Sequence, residues 1–344
     1  MPDDIVEKHW YRTSFTWLTF LLLPFSWLFR LIVAIRFFLY RTHFLKKTNF
    51  TVPVIVVGNI TVGGTGKTPF VIWLAKCLQK KGYRPGIVSR GVGGEKISQP
   101  YWIDAMANPQ YVGDEAVLLA KRTQCPMVVC VDRVAAVNEL LKKTNCNMVI
   151  SDDGLQHYHL GRSMEIIVVD GIRELGNGQL IPAGPLREPV KRLREADLII
   201  INGKSKLHHP IFKSGIVEKK LEHMNLEGDI LFSLIRPDQT LSLDIFSHKK
   251  IHAIAGIGHP ERFFSLLRDY GIHLIEHVFP DHYLYQRDDI YFADDLPVIM
   301  TEKDAVKCME FADPRHWYLP VDAKMSSNLE KKILSFLGSK YASI

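Results

Sequence analysis

The sequence predicts an α/β protein with a parallel-sheet core, a second, smaller α/β lobe and an N-terminal membrane-associated helix. Three observations predict it. An apolar, β-branched run, "VPVIVVGNI", leads into a glycine-rich turn, "TVGGTGKTPF", and then into a helical pattern. Strand-like and helix-like segments alternate again through the last third of the chain. Near the N-terminus, "TSFTWLTFLLLPFSWLF" runs from Thr13 to Phe29 without a charge.

Size and composition bound the reading. The 344 residues suffice for two ordinary domains, and 47% hydrophobic with 23% charged residues is a globular balance that argues against a disordered or repetitive chain. Segments 1–45, 46–215 and 216–344 are the expected anchoring segment, core and smaller lobe. The five cysteines have neither Cys-x-x-Cys nor zinc-finger spacing, which fits unpaired thiols in a reducing compartment. Residues 1–50 hold seven Lys/Arg and three Asp/Glu, so most of the net charge of +6 sits in the N-terminal arm. The anionic partner is therefore expected there, as a membrane surface and not as nucleic acid.

In the arm, the uncharged run continues as "RLIVAIRFFLYR". Its length sits at the lower edge of a bilayer span, Pro24 interrupts it, and Arg30, Arg36 and Arg41 recur too often for a comfortable crossing. On an unbroken helix Arg12, Arg30 and Arg41 fall within about 20° of one another. Asp3, Asp4 and Glu7 argue against a secretory signal. A helix lying in the membrane interface is expected; a true span and a buried helical hairpin are the alternatives.

The strand "VPVIVVGNI" reads as a buried parallel strand, and "FVIWLAKCLQKKG", Phe70 to Gly82, as a helix with a glycine stop. Strand, glycine turn and helix is the context of a P-loop, so the core is expected to be P-loop NTPase-like. Backbone N–H groups from Gly63 to Lys67, through Gly64, Thr65 and Gly66, would wrap a β-phosphate at a helix N-terminus. Lys67 would reach the β- and γ-phosphates and Thr68 would bind Mg²⁺. Thr61 stands where the general pattern has its first Gly, followed by Val62. No Asn-Lys-x-Asp guanine signature closes a later strand, which reads "INGKSKL", so ATP is the expected nucleotide.

Phosphate chemistry needs a second metal anchor at a strand end. "NMVIS" is a short strand followed by Asp152 and Asp153, one of which is expected to be that anchor. "RPGIVSRG" reads as a strand and turn. "YVGDEAVLLAKR" begins a helix at Asp114 and Glu115, as capping residues or as functional ones. "MVVCVDR" gives a strand ending at Arg133, which either offsets γ-phosphate charge or lies on the surface. The Gly- and Pro-rich "GNGQLIPAGPLREP" reads as a substrate-facing loop with Arg187 and Glu188 at its tip; "DLIIIN" is a further strand. After an ambiguous stretch from about Lys204 to Ser247, "KIHAIAGIG", "IHLIEHVF", "PVIMT" and "HWYLPV" read as strands, with helices at "PERFFSLLRDYG", "EKDAVKCMEF" and "NLEKKILSFLG". Asp281-His282 follows one strand end, as a loop pair or facing the cleft.

Taken together, "GNITVGGTGKTP", "SRG", "VGDEA", "SDDGLQH", "IPAGPLREP", "AIAGIGHPERFF", "FPDHY" and "TEKDAVKC", in this order, resemble the tetraacyldisaccharide 4′-kinases of lipid A synthesis over nearly the whole chain. The Thr61 variant belongs to that family's own P-loop. The resemblance implies transfer of the γ-phosphate of MgATP to the 4′-hydroxyl of a tetraacylated glucosamine disaccharide 1-phosphate, at the cytoplasmic face of the inner membrane and without an obligate protein partner. It implies that Lys67 and Arg133 assist transfer, that Thr68, Asp152 and Asp153 hold the metal, and that Asp114 and His282 form a base dyad. Asn59, Arg187 and Glu188 are then expected on the substrate side. Two positions depart from the family pattern: Val92 stands where Tyr is usual, and Ser163 follows Arg162 where Asp is usual. The runner-up reading is a membrane-bound P-loop ATPase switch driving a partner protein, which would need no second lobe with a histidine at the site; a soluble small-molecule kinase is weaker, because the arm argues against it.

Overall fold

The computed structural model describes residues 8–12, 15–104 and 107–341. Asp3, Asp4, Glu7 and the Thr13 start of the uncharged run lie outside the described residues. The first sheet takes β1 (Val54–Gly58), β2 (Pro85–Ser89), β3 (Tyr101–Ile103), β4 (Met127–Val129), β5 (Met148–Asp152), β6 (Met164–Asp170), β7 (Leu198–Asn202) and β8 (Leu221–Glu227). The second takes β9 (Ile230–Ser233), β10 (Thr240–Ser242), β11 (Lys250–Ala255), β12 (His273–Val278), β13 (Val298–Thr301) and β14 (His316–Leu319). The chain then returns to the first sheet as β15 (Asp322–Met325).

The first sheet has the order β15-β8-β7-β6-β1-β5-β2-β4-β3, parallel except at its two edges. β1 is central, and its partners β5 and β6 both run parallel to it. Being buried on both faces, these strands read as continuous apolar runs and not as alternating ones. Register fixes the site: Asp152 lies opposite Val57, so the acidic pair leaves the sheet beside the start of the glycine turn. β6 was not among the expected strands, although Ile166 to Val169 are fully or almost fully buried at the centre of the sheet. The smaller sheet, β10-β9-β14-β13-β11-β12, is parallel from β14 to β12.

Helices α2 (Lys67–Lys80), α3 (Asp114–Thr123) and α4 (Arg133–Lys143) follow β1, the 101–112 segment and β4. Helices α5 (Pro260–Asp269) and α6 (Glu302–Cys308) belong to the second lobe, while α7 (Ser327–Tyr341) packs Leu329, Ile333 and Leu337 into the core of the first sheet. The crossing between sheets therefore falls after Glu227 and the chain crosses back at Asp322, whereas the expected division ran 46–215 and 216–344.

Helix α1 (Trp17–Arg41) is continuous through Pro24 and is capped by Thr16. One stripe meets the core. Ser26 donates to the Leu180 carbonyl at 2.8 Å, Phe29 packs on the cluster around Ile60 and Leu155, and Phe37 and Tyr40 meet the Tyr158 ring. The opposite arc exposes Trp17, Phe20, Leu21, Phe25, Trp27, Leu28, Leu31, Ile32, Ile35 and Phe38. A buried hairpin is thereby corrected: the helix is long and apolar enough to cross a membrane, and only 11% of its most apolar window is buried.

Candidate active site

The glycine turn is held open from below. Gly63 and Gly66 have φ of +90° and +91°, the left-handed region that disfavours a side chain. At Gly66 a Cβ would also meet Asn202 Nδ2 at 2.2 Å, because Asn202, at the end of β7, donates to the Thr65 carbonyl at 3.0 Å. Asn59 is fully buried and donates to the Gly63 carbonyl at 3.4 Å. It therefore buttresses the turn from beneath, which corrects its expected place on the substrate side. Outside the turn, Thr61 forms a bridge with Leu186, and Val62 N–H donates to the Pro185 carbonyl at 2.8 Å. The Gly- and Pro-rich loop is thus packed directly on the phosphate loop.

Lys67 opens α2, and its Nζ lies 3.3 Å from Asp153 Oδ1; Arg187 reaches Asp153 Oδ2 at 3.4 Å. Burial works to raise the Asp153 carboxyl, but Lys67 and Arg187 outweigh it and hold the group below its ordinary range. Asp153 has φ +47°, an unfavourable conformation for a residue with a Cβ and one that recurs at functional sites. Asp152 is buried behind it. Ser89 donates to its Oδ2 at 3.3 Å, while Oδ1 has no hydrogen-bond partner. Burial, then Glu115 and Asp153, push its carboxyl upward. An unpartnered buried carboxylate oxygen, a second carboxylate and the Thr68 hydroxyl are an oxygen donor set that suits Mg²⁺.

Arg133 is neither on the surface nor among the residues lining the cleft. It is 2% exposed and donates to the carbonyls of Cys130 (2.9 Å) and Asp152 (3.1 Å). Burial lowers its pKa to about 10, against the pull of Asp152 and Asp153. It braces the end of β5 from behind the cleft, so a surface position is ruled out and any effect on phosphate charge is exerted at a distance. Glu188 is likewise buried, bound by Gln156 (3.1 Å) and Arg192 (3.1 Å) in the network under α1, and not on the substrate wall. Arg187 does line the cleft.

The second lobe closes over this face. Arg262, on α5, donates to Asp170 Oδ1 (3.0 Å) and to the Asn202 carbonyl (2.9 Å). Arg173 donates to the carbonyls of Gly64 (2.8 Å) and Gly258 (3.4 Å). His282 then meets Asp114, its Nδ1 lying 3.0 and 3.1 Å from the two carboxylate oxygens. The two residues are 168 positions apart in the chain. Asp114, at the start of α3, is 3% exposed, whereas the His282 side chain is 25% exposed and lines the cleft. Burial raises the Asp114 carboxyl, yet His282, Lys303 and Lys307 together hold it below its ordinary value. The hydrogen bond to Asp114 raises the His282 imidazole, against burial and Lys303. Lys303 also pairs with Asp281 (2.9 Å) and Glu115 (3.2 Å). Gly93 permits the arrangement: its φ is +87°, and a Cβ there would lie 2.4 Å from His282 Nδ1.

Lys67, Thr68, Asp153, Arg187, His282 and Lys303 border one cleft of about 760 Å³, which also contains Val92, Glu115 and Arg262. That is room for a small ligand of nucleotide size. Sequence reasoning missed Asn202, Arg173, Arg262 and Lys303. Of these, Lys303 stands within the quoted "TEKDAVKC" motif, and Asn202 closes the strand "DLIIIN".

The sequence matches the LpxK family, described as tetraacyldisaccharide-1-P 4′-kinase, over residues 18–338. Tetraacyldisaccharide 4′-kinase of Nitrosococcus oceani is 46% identical over 335 residues, covering 97% of this chain and 95% of the relative. The enzyme of that name from Methylobacillus flagellatus is 46% identical over 333 residues, with 96% and 95% covered. The crystal structure of LpxK from Aquifex aeolicus in complex with ATP superimposes with a TM-score of 0.76 at 31% identity, covering 93% of this chain and 99% of that one.

Proposed function

The chain belongs to the LpxK family of tetraacyldisaccharide-1-P 4′-kinases, and from that premise we propose how its residues carry out the reaction. The protein is a tetraacyldisaccharide 4′-kinase, transferring the γ-phosphate of ATP to the 4′-hydroxyl of a tetraacylated glucosamine disaccharide 1-phosphate in lipid A biosynthesis. The observation that carries the residue assignment is that Lys67, Asp153 and His282 border a single cleft, with Asp114 bonded to His282 from behind, although they come from two different lobes.

The turn from Gly63 to Lys67 presents backbone N–H groups to the β-phosphate, aided by the N-terminus of α2. Lys67 exchanges its Asp153 partner for the β- and γ-phosphates and stabilises the charge of the transferring group. Bound by Thr68, Asp152 and Asp153, Mg²⁺ would neutralise phosphate charge and orient the triphosphate. Arg133 keeps the end of β5 in place from behind, and Arg187 stands on the cleft wall where the acceptor approaches.

The sugar hydroxyl needs a proton acceptor in line with the phosphate. His282 faces the cleft and Asp114 lies behind it, so the roles divide accordingly. Asp114 accepts Nδ1–H, fixing the tautomer that leaves Nε2 basic. Nε2 then takes the hydroxyl proton as the oxygen attacks phosphorus, and Asp114 stabilises the imidazolium that forms. Lys303 offsets Glu115 and Asp281, whose Oδ2 lies 3.8 Å from Nε2, while Lys307 stands 3.7 Å from Asp114 and favours its ionised form.

Helix α1 lies in the cytoplasmic-side interface of the inner membrane, its docked stripe on the core and its aromatic arc in the acyl region. The substrate's acyl chains remain in the bilayer while the headgroup tilts into the cleft. The test is phosphate transfer from labelled ATP with and without the glycolipid acceptor in mixed micelles. Labelled phosphate should appear on the lipid and depend on it; ATP hydrolysis indifferent to the acceptor would restore the ATPase-switch reading.

A further inference from the structure

Away from the cleft, Asp132, His157 and His159 bring three potential ligand atoms within 4.8 Å of one another. None of the three lines the cleft. Asp132 caps α4 through Oδ1, which accepts Val134 N–H at 2.9 Å, and this leaves Oδ2 uncommitted to the cap. His157 and His159 follow β5 in the turn after Asp152 and Asp153, with ring centroids 6.4 Å apart. His157 Nε2 is buried without a hydrogen-bond partner; Asp132 Oδ1 lies 3.6 Å away. A buried ring nitrogen with no partner is uncommon in a folded protein and calls for one. His159 Nε2 is 3.1 Å from the Thr48 hydroxyl, which fixes its ring in the way that outer partners orient metal ligands.

We propose that Asp132, His157 and His159 form a binding site for a divalent transition metal of the zinc class. Two imidazoles and one carboxylate favour such an ion over Mg²⁺, whose preference is for oxygen. Bonds of about 2.0–2.1 Å in a tetrahedral site place ligands roughly 3.4 Å apart. His157 Nε2 and Asp132 Oδ1 are already 3.6 Å apart, and Oδ1 keeps a lone pair for the ion after accepting the cap bond from Val134 N–H. Burial and the neighbouring Arg133 hold His157 down to about 4, so its ring is neutral, as a ligand must be. Arg133 and Arg162 are the nearby cations and Asp132 the anion that offsets them.

The ion would tie three elements together: the start of α4 at Arg133, the turn after the Asp152–Asp153 pair, and the Thr48 segment joining α1 to β1, whose N–H donates to the His159 carbonyl at 2.9 Å. It therefore acts as a staple beside the phosphate site and takes no part in transfer.

The experiment uses the untagged full-length enzyme, stripped with chelator and returned to Mg²⁺ buffer, then titrated with Zn²⁺ by calorimetry and with Co²⁺ by visible absorption. One equivalent should bind with nitrogen–oxygen cobalt bands, zinc should raise the thermal midpoint, and affinity should fall by about tenfold or more in Asp132→Asn and His159→Ala. Both variants should keep basal kinase activity. Asp132→Asn retains a good helix cap, so it decides the matter if His159→Ala folds poorly. No binding, unchanged affinity in the variants, or a thiolate-to-cobalt charge-transfer band would overturn the proposal.

Discussion

Replacing Gly93 with alanine should disable the enzyme without altering any side chain placed on substrate or nucleotide. Gly93 has φ +87°, and a Cβ there would stand 2.4 Å from His282 Nδ1 and 3.0 and 3.1 Å from two more ring atoms. Two costs follow. An L-residue in the left-handed region costs about 1–2 kcal/mol wherever it occurs. The clash adds a local cost, because the ring cannot retreat and keep both Asp114 contacts at 3.0 and 3.1 Å. Giving up a hydrogen bond to a charged group costs about 1.5–3 kcal/mol, and losing a positioned base about 10²–10⁴-fold in rate. Gly82→Ala is the matched control, since its φ is +83° with no atom within 4 Å of the added carbon. Both variants should lose stability from the shared backbone term, and the thermal midpoint of Gly93→Ala should fall further because the His282–Asp114 contact is also disturbed. Only Gly93→Ala should lose kcat, by about 10²-fold or more, with KM for ATP close to wild type. A kcat equal to that of Gly82→Ala would refute the claim that this turn seats His282.

Lys67→Ala should fold yet lose roughly 10²-fold or more in kcat, on the scale of one preorganised electrostatic contact; steady-state rates and circular dichroism check it. Asp114→Asn should lower kcat and shift the acidic limb of the pH–rate profile. His282 must be neutral to accept a proton, the Asp114 hydrogen bond raises it, and removing that carboxylate moves the limb to lower pH. Stability has the opposite sign: protonated His282 is favoured in the folded chain, so its contribution is full below the unfolded histidine value of about 6.5 and is lost as pH rises through the raised folded value. Denaturant titrations across that window should be flatter in Asp114→Asn. On α1, Trp27→Glu with Leu31→Glu removes two apolar side chains, each worth about 1.5–3 kcal/mol if inserted; vesicle flotation should fall while soluble-acceptor-independent properties such as the thermal midpoint stay close to wild type.

The phosphate loop was legible because its signal is local: a β-branched run, glycines where φ must be positive, and an amphipathic helix lie within thirty consecutive residues. The run Ile166 to Val169 carries the same strand signal as β1, but its place between β1 and β7 depends on crossover handedness and packing, which no local pattern encodes. Strands such as "LEHMNLE" and "DAKM" at the sheet edge mix polar and apolar residues and carry little signal. The amphipathic stripe of α7 fits either sheet, so its return to the first core was hidden. Burial was the main blind spot in the site. Asn59, Arg133 and Glu188 are polar residues beside functional motifs, and only their partners, the Gly63 carbonyl, the Asp152 carbonyl and Arg192, show that they brace the cleft from behind. The relative exposure of Asp114 and His282 was hidden for the same reason: His282 lines the cleft and Asp114 lies behind it.

The most direct test of the account is a double-mutant cycle on Asp114 and His282, with kcat measured at saturating ATP and lipid acceptor. If the buried carboxylate acts only through the imidazole in front of it, the residues work as a unit and their losses do not add. Asp114→Ala and His282→Ala should each lower kcat strongly, with KM for ATP little changed, and the double variant should be hardly slower than the slower single one. Losses that multiply in full, together with an acidic limb that stays in place when either residue is removed, would contradict the account and leave Asp114 as the first-turn acid of α3 that accepts the Glu115 N–H.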